Sequence, residues 1–163
     1  MRKAQQQAWA RHFACYDLVT GLPRRSVLAE RLAESLFQAG RRGRHVALLL
    51  VDVEPLEGIR NRWGWPAADA VLQHVAEALA RSVRGADTVC RCGGERFSMI
   101  LSDVDSPAMA MAAADRIREV LGSLSLDEID GGRLDSRIGV AVSSLDGDEA
   151  AALIRRAELA ATY

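Results

Sequence analysis

The sequence has 163 residues, 49% of them apolar and 26% charged, with a net charge of -1 at neutral pH. This length suits one domain with a substantial core, and the charge balance argues against a nucleic-acid binder or a protein drawn to anionic lipid. No apolar run approaches a membrane span, the polar, Gln-rich start from Met1 to Ala14 does not read as a secretory signal, and a cytoplasmic setting is expected, either alone or as part of a larger signalling protein.

Along the chain, residues 1–15 are expected to be helical, because Trp9, Phe13 and Tyr16 recur at three- and four-residue steps and form one apolar stripe. Such a helix either pairs with another chain as a stalk or packs on its own domain; residues 1–16 are assigned to it and 17–163 to the domain. Asp17 to Pro23 reads as a turn punctuated by Gly21 and Pro23. A second helix is expected over 24–39, with Leu28, Leu32 and Leu36 on one face and Gly40 at its end. The basic loop Arg41, Arg42, Arg44 reads as a solvated connection. His45 to Asp52 is a continuous apolar run, suited to a strand buried on both faces.

Residues 66–84 form an amphipathic helix, with Pro66 in its first turn and Val71, Leu72, Val75 and Leu79 inward. Strands follow at 88–92 and 96–101, joined by Gly93-Gly94, a hairpin signal because glycine accepts positive φ. Ser106-Pro107 opens a helix to about residue 122. Arg137 to Ser143 alternates as a strand, and Asp148 is expected to cap a last helix with Leu153, Ile154 and Ala157 inward. Cys15, Cys90 and Cys92 are odd in number and contain no Cys-x-x-Cys pair, so they read as reduced thiols rather than as a disulfide or zinc framework. His12, His45 and His74 match no ligand spacing.

Four segments carry a family resemblance. Asp17-Leu18-Val19-Thr20-Gly21-Leu22-Pro23-Arg24-Arg25 resembles D-x-L-T-G-L-x-N-R. Asp52 to Asp69 resembles D-x-D-x-F-K-x-x-N-D-x-x-G-H-x-x-G-D. Arg91-Cys92-Gly93-Gly94-Glu95-Arg96-Phe97 resembles R-x-G-G-[DE]-E-F. Arg137 to Thr162 resembles an S-x-G-x-A strand followed by an A-D-x-A-M-Y helix. In this order they are similar to the GGDEF family of bacterial cyclic-di-GMP signalling. The resemblance implies an α/β, palm-like sandwich of the nucleotidyl-cyclase kind. Its central mixed sheet should have about five strands flanked by helices and preceded by an N-terminal helix.

In active relatives two GTP-bound protomers face each other, and each 3′-hydroxyl attacks the other's α-phosphate with the help of divalent metal. By resemblance the metal donors are Asp52, the Val53 carbonyl and Glu95, Mg2+ being the expected ion if any activity remains. Gly93 and Gly94 let backbone approach phosphate. Departures are concentrated here. The fourth signature position is Arg96 instead of Glu; a unit charge about 4 Å away is worth roughly 4 kcal/mol at an effective dielectric near 20. Pairing of Arg96 with Asp52 or Glu95, in the metal's stead, is one expectation. Glu57 stands at the lysine position and Arg60 at the guanine-reading Asn; Trp65 and Ala68 replace His and Gly, while Asp69 remains. Trp63 and Trp65 either fill the vacated base pocket or pack in the core.

Arg84-Gly85-Ala86-Asp87 lies five residues before Gly93 and matches the family's R-x-x-D inhibitory motif, with Arg116 placed to join it. By resemblance the arginines take phosphate and a guanine face, and Asp87 takes the guanine edge. The plainer reading is that Arg84 and Asp87 decorate a helix end. Three functions follow: a non-catalytic module that binds cyclic di-GMP at Arg84, Asp87 and Arg116; a weak diguanylate cyclase that retains Asp52 and Glu95 and binds GTP; or a ligand-free dimerisation module. Expected partners are cyclic di-GMP, a second copy through the N-terminal helix or the GGDEF face, and a tethered phosphodiesterase or other signalling domain; nucleic acid is not expected.

Overall fold

The computed structural model describes residues 2–162, apart from the side chains of Asp146 and Thr162. Met1 and Tyr163, the outer ends of the two expected segments, lie outside the described residues. A four-stranded sheet is built around β1 (His45–Glu54), in the order β2 (Thr88–Arg91), β3 (Arg96–Val104), β1, β4 (Asp135–Val142). Alternation along β1 divides its apolar run between two cores. Ala47, Leu49, Val51 and Val53 face α3 (Leu56–Trp63), α4 (Trp65–Arg81) and α5 (Pro107–Gly122), packing with Val75, Leu79, Phe97, Met99 and Ile117. Val46, Leu48 and Leu50 face α2 (Arg25–Arg41) and α7 (Ala150–Thr162), packing with Leu28, Leu32, Ile100, Leu153 and Ala157.

The expected sandwich is present, but the sheet differs from the mixed sheet of about five strands. Among the described residues it has four strands, and every hydrogen-bonded pair is antiparallel. The cause is topological. The crossover through α3 and α4 does join parallel strands, β1 and β2, but β3 lies between them. The crossover through α5 joins β3 to β4 with β1 between them. Each helix-bearing connection therefore skips a neighbour, as in a split βαβ unit, and no parallel ladder forms.

Smaller differences are local. Helix α3 was not read from the sequence. Gly40 lies inside α2 instead of ending it, and α7 begins at Ala150, after a short turn of helix, α6 (Ser143–Asp146). Ser106 caps α5 as expected, its hydroxyl accepting from Met109 N–H at 3.3 Å. The basic loop is anchored as well as solvated: Arg44 donates to the Asp103 carbonyl at 2.8 Å and pairs with Asp105, and Arg42 lies 3.8 Å from Asp103.

Gly139 decides how α7 sits on the sheet. A Cβ at this position would lie 2.2 Å from the Ala157 carbonyl oxygen and 2.5 Å from the Ala161 nitrogen, so only a glycine lets helix and strand touch. Helix α1 (Arg2–Cys15) contributes no buried residue. Trp9 and Phe13 are exposed, their ring centroids 5.6 Å apart, so this helix does not bury its stripe on the domain. Its foot is tied to α2, where the Ser26 hydroxyl donates to the Ala14 carbonyl and Arg24 N–H to the Cys15 carbonyl.

Candidate nucleotide sites

The β2–β3 hairpin turns at Gly93 and Gly94, whose φ values are 97° and 55°. It is fastened from outside by the turn at Asp17. Asp17 Oδ2 accepts from Thr20 N–H at 2.9 Å and from the Thr20 hydroxyl at 2.8 Å. One terminal nitrogen of Arg91 donates to both Asp17 oxygens at 3.1 and 3.0 Å, and the other donates to the Gly94 carbonyl at 2.9 Å. Both side chains are largely buried, 12% and 14% exposed. Burial acts to raise the Asp17 pKa, but the Thr20 and Arg91 hydrogen bonds outweigh it and hold the carboxyl below its ordinary value. The sequence offers no signal for this pair, since its partners stand 74 positions apart.

On the other side of the hairpin, Arg96 is directly opposite Asp52 in the β1–β3 ladder. Arg96 Nε donates to Asp52 Oδ1 at 2.7 Å and Nη2 to Oδ2 at 3.0 Å, a two-point fork. The Asp52 hydrogen bond raises the Arg96 pKa against the opposing effect of burial. Val53, fully buried, donates its N–H to the Glu95 carbonyl at 3.0 Å. The Glu95 pKa is raised by burial first, then by the nearby charges of Glu54 and Asp52, with Arg60 offsetting part of the effect. Glu54 in turn lies 3.7 Å from Arg137.

This arrangement does not fit a divalent metal at Asp52, the Val53 carbonyl and Glu95. A guanidinium already faces both Asp52 oxygens, where a metal ion needs open carboxylate. Among the described residues no group of three or more His, Cys, Asp or Glu side chains is arranged to hold a metal ion.

Two further expected residues flank this region. Arg60, on α3, has its guanidinium carbon 4.8 Å from the centroid of the Trp65 ring. Asp69, on the second turn of α4, is half-buried and has no hydrogen-bond or ion-pair partner among the described residues. The two tryptophans part company at Gly64, whose φ is 92°. Trp63 packs against the core, whereas Trp65 points outward and is 67% exposed.

Arg84 to Asp87 forms the turn between α4 and β2. Asp87 Oδ2 accepts from Arg84 N–H at 2.9 Å, and Oδ1 accepts from Ser102 N–H of β3 at 2.8 Å. Asp87 therefore pins the turn to the neighbouring strand, a role absent from the expectation that it reads a guanine edge; Ser102 was not among the expected residues. Arg84, Asp87 and Arg116 do come together, lining one small pocket with an apolar wall of Leu101, Val104, Met109 and Ile117. The two arginines are exposed, and among the described residues neither guanidinium is engaged in an ion pair.

His74 pairs with Glu128 at 2.8 Å, and His45 lies 3.5 Å from the Ser143 hydroxyl, both contacts between elements of the fold. All three cysteines are free thiols, and burial pushes Cys90 up to about 12.

The profile of the family described as "Diguanylate cyclase, GGDEF domain" matches residues 14–162. The chain belongs to the GGDEF family. This GGDEF chain is 32% identical over 149 residues to diguanylate cyclase A of Treponema denticola, covering 88% of this chain and 40% of that protein. It is 30% identical over 160 residues to diguanylate cyclase TpbB of Pseudomonas aeruginosa, covering 98% of this chain and 37% of that protein. It thus spans about two-fifths of the length of these curated relatives. The solved GGDEF domain of TpbB superposes with a TM-score of 0.83 at 31% identity, over 90% of this chain and 86% of that one. A microbial GGDEF domain solved to describe its interaction with cyclic di-GMP gives 0.79 at 25% identity, over 94% and 91% of the two chains. Among the described residues, no helix is long and apolar enough to cross a membrane.

Proposed function

We propose that this GGDEF domain is a non-catalytic regulatory module that binds cyclic di-GMP at Arg84 and Arg116, on a turn held by Asp87. The observation that carries this reading is the fork between Arg96 and Asp52. A cation of the chain itself is bound where the cyclase reaction needs Mg2+, so the two carboxylates left for metal chemistry no longer act as a pair. The dinucleotide pocket, in contrast, keeps two exposed guanidiniums beside an apolar wall, which suits phosphates flanked by planar bases. A solved relative's interaction with cyclic di-GMP is in keeping with this.

Titrating cyclic di-GMP into the protein by calorimetry, beside Arg84→Ala, tests the reading. Heat of binding that disappears in the variant is expected; no heat from the unaltered protein defeats it. Incubation with GTP and Mg2+ or Mn2+ followed by chromatography should give no cyclic product; conversion favours instead a weak diguanylate cyclase acting through Asp52 and Glu95.

The exposed rings of α1 support a second copy of the chain as partner. Arg2, Gln6, Trp9, Phe13 and Tyr16 follow four- and three-residue steps, the spacing of a two-helix seam. Light scattering that gives a monomer at micromolar concentration would remove this pairing. A tethered signalling domain fits the length of the curated relatives.

A further inference from the structure

Two apolar surfaces of this domain lie open to solvent. One is the stripe of α1, where Trp9 is 63% and Phe13 41% exposed. The other is a groove between the C-terminal half of α2 and the start of α7, a hollow of about 770 Å³. Ala33, Leu36, Phe37, Gly40 and Ala150 line it, and Phe37 keeps 64% of its surface in solvent. Ala29, also exposed, extends the line of Ala33, Phe37 and Gly40 by one turn of α2.

The two surfaces match in length, shape and charge. Helix α1 has 14 residues and α2 has 17, which makes them about 21 and 25 Å long. In an antiparallel pair with Arg2 level with Gly40, Trp9 comes level with Ala33 and Phe13 with Ala29, because both helices rise equally per residue. Large rings then meet small side chains, as interlocking helices require. Helix α1 opens with Arg2 and Lys3 and contains no carboxylate. Asp148 and Glu149 stand at the Gly40 end of the groove, exposed and outside any ion pair among the described residues. Of the arginines lining the same hollow, Arg41 lies over the Phe37 ring at 6.0 Å and Arg44 is paired with Asp105.

We propose that α1 of a second copy lies in the α2–α7 groove, antiparallel to α2, and that the two copies exchange these helices about a two-fold axis. This rests on the reading that a second copy is the partner, and it names the surface on which α1 packs. The Ser26 and Arg24 bonds at the foot of α1 hold it away from its own domain. A second copy's helix fills the groove without breaking them, whereas folding back in the same chain would break both. Each foot lies at the start of α2, which is also where the incoming helix ends, so a single axis near the two feet serves both grooves.

Sedimentation velocity over a dilution series of the chain tests this. The unaltered chain should dimerise, with a Kd that rises with salt. Trp9→Ala and Phe37→Glu should each raise that Kd about tenfold or more, the loss of one aromatic anchor. Glu149→Lys should weaken the dimer as well, and adding Lys3→Glu should restore it. The substituted side chains are exposed, and an unchanged circular dichroism spectrum checks that each variant folds. A dimer lost in Trp9→Ala but kept in Phe37→Glu overturns the proposal and sets α1 against α1, with the second-copy reading intact. Failure of Lys3→Glu to restore Glu149→Lys overturns the antiparallel placement and the proposal with it. A parent chain that stays monomeric removes both readings.

Discussion

Replacing Arg96 by alanine removes the fork from Asp52 and leaves that carboxylate alone at the end of β1. The side chains are 36% and 18% exposed, so the pair is neither a surface contact nor a buried one. Exposed pairs contribute about 0–1 kcal/mol, and breaking a buried pair costs about 3–5 kcal/mol. Both bonds are short, but Arg96 is over a third in solvent, which scales the loss down to roughly 1–2 kcal/mol. For a chain of this length that corresponds to a fall in Tm of roughly 2–8 °C. The same substitution opens Asp52 to cations. Mg2+ at ten times its Kd would then return about 1.4 kcal/mol by mass action. Differential scanning fluorimetry with and without millimolar Mg2+ reads both effects. The unaltered protein should melt at the same temperature with or without the ion, and Arg96→Ala and Arg96→Glu should melt higher with it. If Arg96→Ala melts as the parent does, or if Mg2+ stabilises the parent as much as the variants, the guanidinium does not hold the metal's place.

Two further outcomes follow from contacts elsewhere. Gly139→Ala drives a methyl group into the Ala157 carbonyl, 2.2 Å away, and should cost at least about 1–3 kcal/mol, read as a lower urea midpoint. Asp17 has a pKa below its ordinary value, so its contribution is complete above 3.8 and is lost as the pH falls from there through the lowered value. Asp17→Asn should therefore be less stable than the parent at neutral pH, and the gap should close in strong acid. A gap of constant size down to pH 2 would refute the assignment.

Much of this fold is legible in the sequence because its apolar residues are laid out in long, unmixed patterns. HVALLLVD suits a strand buried on both faces, and the stripe expected over 66–84 forms the helix packed against it, which ends at Arg81. Helix α3 escapes because its eight residues bury only Leu56 and Ile59, too few to show a period. The sheet's pairing escapes because a crossover helix signals parallel strands without saying whether another strand lies between them.

The site divides in the same way. That a cation replaces a carboxylate at position 96 is plain from the sequence; that it faces Asp52 depends on the β1–β3 register. Likewise Arg84, Asp87 and Arg116 can be aligned with a motif, yet the anchoring of Asp87 to Ser102 requires β3 to lie beside the turn. Trp63 and Trp65 look equivalent on either side of Gly64, and only the positive φ between them sends one to the core and the other to solvent.

The signature hairpin is held at three places: Asp17 to Arg91, Asp52 to Arg96, and Val53 N–H to the Glu95 carbonyl. Two of these are ion pairs, one across the β1–β3 ladder and one from the turn at Asp17. The proposed non-catalytic role rests on this contrast with metal chemistry, which needs carboxylate oxygens open to the ion. Around the turn at Asp87 the balance is opposite. There the backbone N–H groups of Arg84 and Ser102 satisfy the carboxylate, and among the described residues the guanidiniums of Arg84 and Arg116 form no ion pair. For the proposed cyclic-di-GMP site, a turn fixed by these two hydrogen bonds would lower the ordering cost of binding. The Asp87 carboxylate matters through the shape of the turn, whether or not it ever touches a base.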